Sequence, residues 1–101
     1  MATVRSRIRL ADNGFVENGR AGILLLDRSR GTATGNTFAR NVKAGVELFE
    51  RSSARLEENR FAGNGPLDVD AGCGRGLAGV VDLGAGNVAA EGVLRQRICA
   101  Q

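Results

Sequence analysis

The chain has 101 residues, which suffices for one small domain, and carries 14 Lys and Arg against 11 Asp and Glu for a net charge of +3. With 43% hydrophobic and 25% charged residues it is too apolar for a disordered tail, and its longest apolar run, Ile23 to Leu26, is far too short for a transmembrane helix. It has no His, Trp or Tyr. That excludes histidine-based general catalysis and any Ser-His or Cys-His dyad, and it argues against stacking on nucleic-acid bases. No nucleic-acid or membrane partner is therefore expected.

Residues 6–28 recur directly after themselves. Ser6, Asn13, Phe15, Asn18, Ala21, Gly22, Leu25 and Arg28 reappear as Ser29, Asn36, Phe38, Asn41, Ala44, Gly45, Leu48 and Arg51. A third copy keeps Ser52, Asn59, Phe61, Ala62 and Asn64. A fixed period of this length marks a solenoid, in which each unit buries its apolar side only against its neighbours.

In chain order, the first repeat alternates apolar residues at Ile8, Leu10, Phe15, Ile23 and Leu25, the period-two signature of strands. "ADNG" and "ENGR" interrupt the strands with turn chemistry, because Asn and Gly tolerate positive φ. The second repeat, 29–51, points Phe38, Val46 and Leu48 inward, but Gly31 and Ala33 make its first strand poor. The third, 52–74, points Ala54, Leu56, Phe61 and Val69 inward. A degenerate coil, 75–87, has a strand around Val80 to Leu83 and an Asn87 that falls off the period. Residues 88–101 break the period, and Val93, Leu94 and Ile98 are expected to form a helical or extended cap.

A leucine-rich repeat also shows the pattern of Ile8, Leu10, Asn13 and Phe15, but it then needs a helical or turn-rich second half. Here a second Asn and a Gly precede another alternating segment, so a third strand follows. On Asn13, Phe15, Asn18, Gly22, Ile23 and Leu25, with their copies, the chain resembles the right-handed parallel β-helix repeat regions of the pectate-lyase-like superfamily over about residues 4–87. The expected fold is all-β: a right-handed β-helix of three to four coils of 23 residues. Stacking then predicts columns of like residues. Phe15, Phe38 and Phe61 form an aromatic column, while Asn13, Asn36 and Asn59, and in parallel Asn18, Asn41 and Asn64, form amide ladders.

The outward columns are charged. Arg5, Arg28 and Arg51 align beside Asp27 and Glu50, and Glu47 aligns with Asp70. The reading of these columns is a solvated salt-bridged face, with Glu47, Asp70, Arg28 and Arg51 as candidate ligand-binding residues. The resemblance implies that lyase relatives hold calcium with acidic residues on one such strand face and use an arginine as base. Leu24 takes the corresponding place in the first coil, so at most two carboxylates converge, too few for calcium. No metal or other cofactor is expected, and no catalytic residue is assigned. The glycosidase branch needs clustered aspartates with a histidine, which this chain lacks.

The resemblance implies a non-catalytic module, the C-terminal part of a secreted or envelope protein that associates with acidic polysaccharide. Two alternatives stand beside it. One is a structural unit that assembles with further β-helix coils, or with itself, at the N-terminal end, where little precedes Ile8, Leu10 and Phe15 to cover them. The other is a piece of a polysaccharide lyase or epimerase. Cys73 and Cys99 fit no metal pattern and leave a disulfide open.

Overall fold

The computed structural model describes residues 2–4, 7–26, 28–49, 51–71, 80–90, 92 and 94–97. Arg5, Asp27, Glu50, Cys73, Val93, Ile98 and Cys99 lie outside them. All regular structure among the described residues is β, and the chain visits three sheets in rotation. β1 (Ala2–Val4), β2 (Arg7–Ala11) and β3 (Gly14–Val16) make the first circuit. β4 (Ala21–Leu25), β5 (Arg30–Thr34) and β6 (Thr37–Ala39) make the next, and β7 (Ala44–Leu48), β8 (Ser53–Glu57) and β9 (Arg60–Ala62) follow. β10 (Val69–Asp70), β11 (Val80–Leu83) and β12 (Val88–Ala89) lie beyond them, and β13 (Gln96–Arg97) pairs with β10.

The sheets run β1-β4-β7-β10-β13, β2-β5-β8-β11 and β3-β6-β9-β12, with every pairing parallel. This is a parallel β-helix. The register follows the sequence repeat: Ile23 pairs Val46, Phe15 pairs Phe38 and Leu10 pairs Ala33.

The bends set that register. Asn36 accepts from the Asn13 backbone N–H at 2.8 Å through its Oδ1, and donates through Nδ2 to the Leu10 carbonyl and to Asn59 Oδ1. Asn59 repeats the pattern toward Ala33 and Asn87. Asn87 is thus a further rung although it stands 28 residues from Asn59, where the other rungs are 23 apart. The strand pairing explains the difference. Val69 still pairs Val46 at the regular spacing, Val80 pairs Ser53 at four residues more and Val88 pairs Arg60 at five more. Most of the extra length thus enters between β10 and β11, and one further residue between β11 and β12.

Asn18, Asn41 and Asn64 form the second ladder, with amide-to-Oδ1 distances of 2.8 and 2.9 Å. A third bend uses serine: Ser52 Oγ accepts from the Ser29 N–H at 3.1 Å, and Ser29 Oγ donates to the Leu26 carbonyl.

The residue before each ladder position is left-handed. Asp12, Gly35, Glu58 and Gly86 precede the first ladder with φ of 55°, 69°, 54° and 81°. Glu17, Arg40 and Gly63 precede the second, and Arg28 and Arg51 precede the serines. A non-glycine residue in this region costs about 1–2 kcal/mol. The cost is tolerated because the following side chain satisfies the backbone groups that the bend turns away from the sheets.

Inside the bends, Phe15, Phe38 and Phe61 stack with centroids 5.3 and 5.0 Å apart and planes within 10° and 17° of parallel. Ala89 follows in that column. The rings press against β4 and β7 so closely that a Cβ on Gly45 would lie 2.9 Å from both the Asp68 carbonyl and the Phe61 ring. Gly22 is confined in the same way by Phe15, Phe38 and the Gly45 carbonyl. Against the second sheet the packing is looser. Gly31 forms part of β5 despite its weak propensity and leaves an apolar cavity of about 10 Å³ beside Ile8, Leu10, Leu25 and Ala54. Leu94 packs on the same core.

Chemical denaturation provides the test. Asn36→Ala should cost about 1–3 kcal/mol by leaving the Asn13 amide and the Leu10 carbonyl unpaired. Phe38→Ala should cost about 3–5 kcal/mol. Gly45→Ala should be strongly destabilising, whereas Gly19→Ala, whose Cβ would meet nothing within 4 Å, should be nearly neutral. Gly31→Ala should raise stability by about 0.5–1 kcal/mol, since the new methyl meets Leu25 methyls at 3.3 Å and Ile8 Cγ2 at 3.8 Å, flexible side-chain ends that border the cavity.

Candidate functional site

Leu24, Glu47 and Asp70 lie side by side on the outer face of the first sheet, as the repeat requires. Two of the three are closed to solvent. Leu24 is 6% exposed and Glu47 only 4%, while Asp70 is half-buried. Sequence alternation places Glu47 on a solvated surface; the structure instead covers it with a cation. Arg20, in the bend that leads into β4, donates from Nε to Glu47 Oε1 at 3.0 Å. Its guanidinium carbon lies 5.2 Å from the centroid of the Phe49 ring, which fixes it from the other side. Glu47 is thereby buried and engaged by a counter-charge.

Arg28 and Arg51 are exposed, one repeat apart, at left-handed bend positions after β4 and β7. Their backbones serve the fold, and neither is the partner of Glu47, whose ion pair is with Arg20. Arg20 escaped sequence reading because it meets Glu47 at a separation of 27 residues, which the 23-residue repeat does not reveal.

A second buried carboxylate closes the second ladder. Asp68 stands where Gly22 and Gly45 stand in earlier circuits and is fully buried. Its Oδ1 accepts from Asn64 Nδ2 at 3.2 Å and its Oδ2 from the Arg95 backbone N–H at 3.0 Å. Arg95 Nη2 donates to the Asn64 carbonyl at 2.6 Å. With no further Asn in this column, a carboxylate and an arginine take over the rung's partners.

The outer face of the second sheet differs in kind. Arg7 pairs in register with Arg30, and Arg9 with Thr32, which pairs with Arg55. Toward the other end of the sheet the charge changes sign: Arg55 is hydrogen-bonded to Glu57 at 2.6 Å and to Asp82. Its pKa is raised above the usual arginine value, first by the hydrogen bond to Glu57 and then by the charge of Asp82. Among the described residues, Arg7, Arg9 and Arg30 form no ion pair.

Among the described residues no three His, Cys, Asp or Glu side chains converge as a metal site would require. No helix among them is long and apolar enough to cross a membrane. The three-sheet circuit, the bend ladders and the inward aromatic column together define a parallel β-helix module. The chain belongs to the right-handed β-helix family: the family model described as a right handed beta helix region matches residues 1–88. No curated protein and no solved structure matches it.

The two partners of the buried ion pair should respond differently to substitution. Arg20→Ala leaves Glu47 buried without a counter-charge and should cost about 2–4 kcal/mol, less than a fully enclosed pair because Arg20 itself is 43% exposed. Glu47→Leu, which restores the residue of the preceding circuit, should change stability by less than about 1 kcal/mol, as Arg20 can rehydrate. Thermal melts of both variants decide it. An equal loss in the two would show that the pair, rather than the burial of Glu47, sets the cost.

Proposed function

We propose that the chain is a non-catalytic β-helix module of a secreted or envelope protein that associates with acidic polysaccharide. The observation that carries the non-catalytic part is the closure of Glu47. On the strand face where lyases of this fold group their acidic residues, Leu24 is apolar and Glu47 is held by Arg20. Asp70 remains as the one carboxylate of that row outside this pair, and a lone carboxylate does not assemble a calcium site. The buried Asn and Ser side chains are engaged in holding the bends. What the fold leaves for recognition is its outer surface, whose strands repeat at about 4.8 Å and so present like groups at a regular interval to a repeating polymer.

The test pairs turnover with binding. The purified chain, incubated with polygalacturonate or alginate and calcium, should produce no unsaturated sugar, read by ultraviolet absorbance. It should retain the polymer in affinity electrophoresis, equally with calcium and with a chelator. Product formation that disappears in Asp70→Ala would overturn the non-catalytic reading, and absence of retention on every acidic polymer would overturn the polysaccharide reading.

A further inference from the structure

Leu24 and Glu47 leave little of their row open to a polymer, and one other face is built differently. The outer surface of the β2-β5-β8-β11 sheet presents Arg7 and Arg9, then Arg30, Thr32 and Thr34, then Ser53 and Arg55. Arg7 and Arg30 are direct neighbours in register, with no carboxylate paired to either among the described residues. Stacked like charges on adjacent strands are unfavourable, and an anion lying between them removes the repulsion. The surface dips between Arg30 and Arg55, where Thr32 and Ser53 are short and half-buried and offer hydroxyls. Val80 and Asp82 bound the dip on the β11 side, where Arg55 holds the Asp82 carboxylate.

We propose that this arginine and hydroxyl face of the second sheet is where the module holds an anionic polysaccharide. Arg7, Arg9 and Arg30 take its carboxylates, and Thr32 and Ser53 take its hydroxyls. The inference rests on the polysaccharide reading above and adds the site. Guanidinium groups match carboxylates in two parallel hydrogen bonds, which a lysine cannot do. Glu57 and Asp82 at the far end of the face limit the basic strip to the early circuits. A polymer is thereby confined to the region from β2 to the edge of β8. The outward side chains of this face include no aromatic residue, so nothing there stacks a nucleotide base.

The test uses the full chain and polygalacturonate with a chelator present, binding being followed by calorimetry. Circular dichroism confirms that each variant keeps its fold. Arg30→Thr should weaken binding by roughly tenfold, the loss of one charge-assisted interaction. Arg9→Thr combined with Arg30→Thr should abolish measurable binding. Arg60→Thr removes the same charge from the exposed face of the third sheet and should leave binding unchanged. Equal weakening by Arg60→Thr would reduce the effect to net charge and overturn the site. So would full binding by the double variant, or tighter binding of a DNA oligonucleotide than of polygalacturonate. Loss of binding in Arg28→Ala or Arg51→Ala, with the double variant unaffected, would move the site and spare the polysaccharide reading. No binding by the parent chain would remove both.

Discussion

At the bends of the stacked circuits, among the described residues, an amide or hydroxyl side chain does work that the backbone cannot do alone. A β-helix must turn its chain sharply three times per circuit, and each turn swings peptide groups out of the sheets. In this chain the turning residue is left-handed and the next residue is Asn or Ser, whose side chain reaches both the neighbouring rung and a strand carbonyl. Each Asn is therefore simultaneously a local turn former and a long-range clamp between circuits. The repeat length follows from this clamp, because a rung engages its neighbour only if the circuits match at that corner. Phenylalanines then meet face to face and the tight glycines find room beneath them.

This arrangement divides the chain's chemistry. Inward residues and bend residues are committed to the fold, including, among the described residues, six non-glycine residues held at positive φ. Their retention implies that the ladder is strong enough to absorb local strain at many sites. The outward residues are left free to differ between faces. One outward row became a buried ion pair, a second sheet kept unpaired arginines beside hydroxyls, and the third presents Thr37 and Arg60 between exposed Val16 and Val88. Fold and recognition are thus written on alternate residues of the same strands.

Much of the fold was legible because identical neighbours recur at a fixed interval. Asn13, Asn36 and Asn59 with Phe15, Phe38 and Phe61 disclosed both the columns and the strands that carry them. What escaped breaks the interval or hides in the backbone. Asn87 looked out of place because extra residues enter before and after β11, a shift that strand pairing absorbs. The serine bend was visible as a conserved spacing of Ser29 and Ser52, yet nothing in a hydroxyl announces a ladder. Arg20 and Glu47 meet on a diagonal between circuits, and no pattern in the repeat shows that an outward glutamate will be covered. The left-handed residues were concealed for a similar reason: Glu17, Arg40 and Arg51 are not turn residues by type.

The lengthened connection between β10 and β11 has a consequence for change over time. Strands on both sides of it keep their partners, and the amide rung beyond it closes as the others do. The bend after β11 is thus held by its own clamp, and the longer connection before it leaves the pairing that follows intact. Lengthening a surface connection costs little chain entropy, growing only with the logarithm of its length. A scaffold with that property can acquire new loops one at a time, each tried without endangering the whole, so segments from other proteins can be grafted at this corner while the stack beneath stays in register.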